Sequence, residues 1–154
     1  MNRKVSNFLY LCVCYVFFLI SDLYLTKLLY KSISNGFTFS NKVLELTFVK
    51  NTGAAFNILS NGREFLIIFS IVVLTLIFMY TLRNLKSLWM KEIFFISLLC
   101  AGISGNVHER IVLGYVRDFF QLKFVNFPVF NISDIFINIG VIALIVLILL
   151  KKTK

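Results

Sequence analysis

The sequence holds 154 residues, of which 59% are hydrophobic and only 15% charged, with a net charge of +9. Soluble domains carry about 45–50% apolar and about 25% charged residues, so these proportions and a mean hydropathy of +0.89 exclude an ordinary water-soluble globule. The basic residues sit beside apolar runs with no motif of a nucleic-acid reader around them, so membrane orientation accounts for the charge and no nucleic-acid partner is expected.

A membrane-spanning helix needs about 20 mostly apolar residues. Four stretches qualify, at about 7–30, 64–82, 89–112 and 133–150. The expected fold is therefore an all-α membrane protein, a single polytopic domain over 1–154 with four transmembrane helices. Met1-Asn2-Arg3-Lys4 before an apolar run could open a secretory signal peptide. A small-x-small cleavage site is missing and the run stays apolar to about Tyr30, so it is read as a retained first helix.

Segments 1–6, 83–91 and 151–154 hold 8 Lys/Arg in 19 residues, whereas 31–63 and 113–132 hold 6 in 53. The positive-inside rule then places both termini and the short middle loop in the cytoplasm and the two longer loops outside. Within the first outer loop, Phe37-Thr38-Phe39 and the stretch 43–49 are rich in β-branched and aromatic residues, which predicts short strands at the membrane surface. Asn51-Thr52-Gly53 reads as a turn. Pro128, the only proline, stands just before the fourth helix. Cys12 and Cys14 do not face each other on a helix and Cys100 lies in another apolar run, so no disulfide framework is expected.

Ionisable groups within a bilayer are costly, and each is a candidate functional residue. Asp22 and Lys27 fall in the outer part of the first helix. Asn106, His108, Glu109 and Arg110 fall in the outer part of the third. Asp118 follows, and Asp134 begins the fourth. With the topology above, all reach one membrane face. Taken singly, each also has an ordinary structural explanation. Asp134, three residues after Asn131, fits an acid in the first turn behind an N-cap. Arg117-Asp118 fits a solvated pair, and Lys27 fits a side chain reaching for headgroups. His108 lacks a second His nearby, so no metal site is expected.

Taken together, the motifs are more specific. Asn51-Thr52-Gly53-Ala54-Ala55-Phe56 resembles the N-x-G-A-A-F/W signature of the lipoprotein signal peptidases (signal peptidase II). Gly105-Asn106-Val107-His108-Glu109-Arg110 and Val116-Arg117-Asp118-Phe119 resemble that family's G-N-x-x-D-R and V-x-D-F blocks, and Phe130-Asn131-Ile132-Ser133-Asp134 resembles its F-N-x-A-D block. Order, spacing and the four-helix frame agree across almost the whole chain. Three departures stand out. Glu109 replaces an Asp, and Ser133 replaces an Ala. In the first helix the family carries an Asp four residues before the Lys, where this chain has Leu23, while Asp22 lies one residue earlier and about 100° around the helix.

The resemblance implies an aspartic endopeptidase of the bacterial cytoplasmic membrane, active at its outer face, with Asp118 and Asp134 as the catalytic pair. Asn51, Gly53, Asn106, Arg110, Asn131 and Lys27 are implied to bind substrate or support the pair. The implied substrates are prolipoproteins carrying diacylglyceryl on the signal-peptide Cys, cut just before that Cys. Membrane lipids are the other implied partners, the chain is expected to be a monomer, and no metal or organic cofactor is expected. Two other classes stay open. A non-catalytic relative that binds lipidated signal peptides would fit the changed acids. A small transporter or channel subunit would need polar residues through the depth of a helix, and the second and fourth contain almost none.

Overall fold

A backbone in lipid has no partner for its N–H and C=O groups except itself, so each long apolar run becomes a helix. The computed structural model describes residues 2–54, 58–60 and 62–152. It contains four helices, α1 (Arg3–Ser34), α2 (Arg63–Asn84), α3 (Met90–Leu113) and α4 (Ile132–Lys152), all long and apolar enough to cross a membrane. Each runs past the apolar stretch that betrays it in the sequence. In α1 the extension at the start is held by Asn2, whose side chain accepts the Lys4 N–H at 3.1 Å.

Helix α3 is the centre of the bundle and packs against the other three. Its inward face carries Ile93, Ile96, Cys100 and Ala101, all buried, and with Leu11, Leu85 and Leu88 it forms the small core. Outward-facing residues such as Phe17, Ile20, Ile68, Leu76 and Ile142 are exposed, as expected of chains whose solvent is hydrocarbon. Because lipid tails are as apolar as leucine, helix association here depends on close approach, which small residues allow. Gly102 faces α4 so closely that an added Cβ would lie 2.5 Å from the Ser133 carbonyl oxygen.

Two strands sit at one end of the bundle, β1 (Leu44–Asn51) and β2 (Val116–Leu122), paired antiparallel. The register sets Val49 opposite Asp118 and Asn51 opposite Val116, with an irregularity between Leu46 and Val49. Such a bulge increases local twist and re-aims the side chains beyond it. An aromatic column seats the sheet on α1, from Tyr30 to Phe48 (5.2 Å between centroids) to Phe119 (6.2 Å).

The expected strand at Phe37-Thr38-Phe39 is not formed. Asn41 Oδ1 takes the N–H groups of both Val43 and Leu44 at 2.8 Å, and this turn leaves only a bridge from Ser40 to Glu45 and a Leu46 N–H bond to the Phe39 carbonyl. The partner of β1 is instead β2, which lies in the second outer loop, a segment whose sequence carries no strand pattern. All three cysteines are free.

Candidate active site

The site is assembled where α3, α4 and the two strands meet. Asn131 precedes α4 and caps it, its Oδ1 accepting the Asp134 N–H at 2.8 Å. Asp134 Oδ2 accepts the Asn131 N–H in return at 3.2 Å. This reciprocal cap satisfies two backbone donors that the helix cannot. It also fixes the Asp134 carboxyl at the start of α4.

Asn131 has an amide group left over, and that group points to the other aspartate. Its Nδ2 donates to Asp118 Oδ1 at 2.8 Å and to Asn106 Oδ1 at 3.1 Å. Asn106 Nδ2 in turn donates to Asp134 Oδ1 at 2.9 Å. On the far side, Asn51 Nδ2 donates to Asp118 Oδ2 at 2.9 Å, while its Oδ1 accepts the Gly53 N–H at 2.9 Å. Each oxygen of both carboxyl groups therefore meets a neutral donor from a different direction. The capping role legible for Asn131 and Asp134 in the sequence and their place in this network coexist in the same side chains.

No cation bonds directly to either carboxyl group among the described residues. The nearest, Arg110, spends its guanidinium on the Gly53 carbonyl at 2.7 Å and, more weakly, the Asn106 carbonyl at 3.4 Å. It thus anchors the end of β1 to α3 and adds its charge from a distance. Asp118 is buried, 2% exposed. Burial pushes its carboxyl up to about 6, the negative charge of Asp134 pushes the same way, and the amides of Asn51 and Asn131 with the Arg110 charge oppose both. Two carboxyl groups, one buried and one half-buried, bridged by neutral amides cannot both ionise cheaply, so the arrangement favours one shared proton.

The remaining polar residues brace this centre. Glu109 accepts the Arg117 backbone N–H at 2.8 Å and its Nε at 2.7 Å, and pairs with the guanidinium, tying β2 to α3. Asp22 is buried and accepts the Ser133 hydroxyl at 2.6 Å; its Oδ1 has no hydrogen-bond partner among the described residues. Only glycine fits opposite, since a Cβ at Gly105 would collide with Asp22 Oδ2 and Ser133 Oγ. The side chains of Asp22 and Ser133, separate departures from the family pattern, thus meet each other.

Of the candidates named from sequence, Asn51, Gly53, Asn106, Arg110, Asp118, Asn131 and Asp134 are brought together. Lys27 is not: it is exposed and forms no hydrogen bond or ion pair among the described residues, because Asp22 and Thr26 take the buried face of α1. His108 is likewise exposed. Ala55 and Phe56, the end of the first motif block, lie outside the described residues. Neither the role of Ser133 nor the clamp between Glu109 and Arg117 follows from the sequence alone. Their only signal was that Glu109 and Ser133 departed from the pattern.

Two cavities open on the pair. The larger, about 430 Å³, contains Asp134, Asn106 and Arg110 and runs along α4 past Ile135, Ile139 and Ile142. The smaller, about 290 Å³, contains Asp118 and lies against the end of β1. They share Asn51, Pro128 and Val129 as a common wall.

Fold and site together define a multi-pass membrane protein with an amide-bridged carboxyl pair between an apolar groove and a second, smaller cleft. Comparison with known proteins makes the class specific. The family profile for signal peptidase (SPase) II matches residues 14–150. The chain is 40% identical over 111 residues to a lipoprotein signal peptidase of Streptococcus thermophilus, covering 71% of each. It is 35% identical over 146 residues to that of Enterococcus faecalis, covering 89% of each. A solved bacterial membrane enzyme superposes with a TM-score of 0.78 at 33% identity, over 94% of this chain and 89% of that one. The chain belongs to the signal peptidase II family.

Proposed function

We propose that this protein is an aspartic endopeptidase of the bacterial membrane that removes signal peptides from diacylglyceryl-modified prolipoproteins, cutting just before the lipidated Cys. The observation that carries this reading is the pair of a buried Asp118 and a half-buried Asp134, bridged through Asn131 and Asn106 by neutral donors alone. Family membership supports the prolipoprotein substrate.

In the resting pair one proton is held. Asp134, in the first turn of α4 where the helix dipole favours an anion, is the better place for the negative charge and serves as base. It takes a proton from water as the water oxygen bonds to the scissile carbonyl carbon. Asp118 gives its proton to the carbonyl oxygen, and the tetrahedral diol forms without a free oxyanion. Collapse returns the diol proton to Asp118, the C–N bond breaks, and Asp134 passes its proton to the leaving amine of the Cys. The pair ends as it began. Asn51, Asn106 and Asn131 hold the carboxyl groups in register, and Arg110 holds Gly53 beside them.

The apolar groove along α4 suits acyl chains or an apolar signal segment. The charge distribution supports both termini in the cytoplasm and a site at the outer face, where the lipid of the substrate lies. The test is cellular: depletion of this protein should cause a diacylglyceryl-modified precursor of a lipobox protein to accumulate uncut. Normal maturation in its absence would refute the reading.

A further inference from the structure

The two cavities differ in what they can hold. The larger follows α4 into the apolar bundle. The smaller lies against the end of β1, beyond the helices, where Val49, Lys50 and Thr52 join Asp118. A substrate crossing the carboxyl pair is apolar on the side of its lipid and signal helix and hydrophilic where the mature polypeptide leaves. The smaller cavity therefore suits the residues that follow the lipidated Cys.

Lys50 gives that cavity a charge. It stands directly across the strands from Arg117, a like-charge pairing that is unfavourable in a sheet. Arg117 is neutralised by Glu109, whereas Lys50 has no acidic partner among the described residues, and its ammonium lies 5.1 Å from the centroid of the Tyr115 ring. A cation kept beside a catalytic centre, facing a second cation with no acid of its own, is complementary to an anionic ligand group. The neighbouring Thr52 is exposed and uncharged and Asp118 is buried, so the exposed charge at this mouth is the positive one of Lys50.

We propose that Lys50 determines specificity on the leaving side of the scissile bond, favouring substrates with an acidic side chain in the first two residues after the lipidated Cys. This rests on the peptidase reading above and extends it to the mature part of the substrate. The attraction is between partly solvated charges, so it is screened by salt and worth a modest factor. The expected preference for Glu over Lys in kcat/KM is about threefold to tenfold at low ionic strength.

The experiment uses the purified full-length protein in phosphatidylcholine vesicles with three diacylglyceryl-Cys peptides that differ only in Glu, Gln or Lys at the second residue after the cut. For the natural chain the order of kcat/KM is Glu over Gln over Lys, flattening at high salt. Lys50→Gln should bring the Glu-to-Lys ratio near one, and Lys50→Glu should invert it. A ratio near one in the natural chain, or a preference that persists in Lys50→Gln, overturns the proposal. If Lys50 serves lipid headgroups instead, Lys50→Gln lowers all three rates equally and leaves the ratio intact, which also overturns it. Failure to cut even the Gln peptide refutes the peptidase reading itself and is thereby distinguished.

Discussion

Asn131 offers the sharpest separation of a structural from a catalytic role, because its two side-chain ends do different things. Its Oδ1 caps α4 through the Asp134 N–H, and its Nδ2 bonds Asp118 at 2.8 Å and Asn106 at 3.1 Å. Asn131→Ala removes both functions and costs about 0.5–2 kcal/mol for the cap alone. Asn131→Ser keeps a good cap and deletes only the amide donor. A hydrogen bond to a charged group is worth about 1.5–3 kcal/mol, so Asp118 loses a corresponding part of its support in either variant. If that support is exerted in the transition state, kcat falls about 10- to 150-fold in both. Thermal unfolding in detergent, read beside turnover of a fluorogenic lipopeptide, separates the effects: the Ser variant should unfold near the natural temperature and the Ala variant several degrees lower, with both slow. A Ser variant with full activity would show that Asn131 is a cap and nothing more.

Two other outcomes follow from the buried acids. The Asp118 carboxyl is raised from 3.8 to about 6, so the folded state binds this proton more tightly than the unfolded chain. Its contribution to stability is fully present below pH ~4 and is lost as pH rises through about 6; unfolding midpoints across that window should fall less steeply with pH in Asp118→Asn than in the natural chain. Ser133→Ala leaves Asp22 without its only hydrogen-bond donor among the described residues, at a cost of about 1–3 kcal/mol. Because the two side chains share one bond, Asp22→Ala with Ser133→Ala should destabilise by less than the sum of the single variants in a double-mutant cycle, and strict additivity would deny the contact.

The four helices were legible because lipid selects for a bulk property, a long apolar run, that hydropathy reads directly. Their ends were less so: α1 begins at Arg3 and closes at Ser34, in polar residues that hydropathy treats as loop. The sheet was half legible. β1 shows the β-branched and aromatic enrichment of a strand, but β2 carries Arg117, Asp118 and Gln121 and owes its conformation to its partner, Glu109 and the cap of α4. The site was legible as motif blocks at one membrane face. The route by which its parts connect was not, since Asn131 reaching both aspartates depends on tertiary placement. Lys27 shows the limit most clearly. One residue of displacement between Asp22 and the expected position rotates the buried face of α1, and the acid that keeps that face is met by Ser133 from across the bundle, leaving the lysine exposed.

The most direct test of the central assignment is cleavage of a synthetic diacylglyceryl-prolipoprotein peptide by the purified protein in vesicles, with the natural chain compared with Asp118→Asn and Asp134→Asn. Each substitution preserves shape and deletes one acid–base group, so each rate should fall at least about 10²- to 10⁴-fold while both variants stay folded and bind the peptide. Cleavage at the natural rate by either variant would contradict the pairing of Asp118 with Asp134.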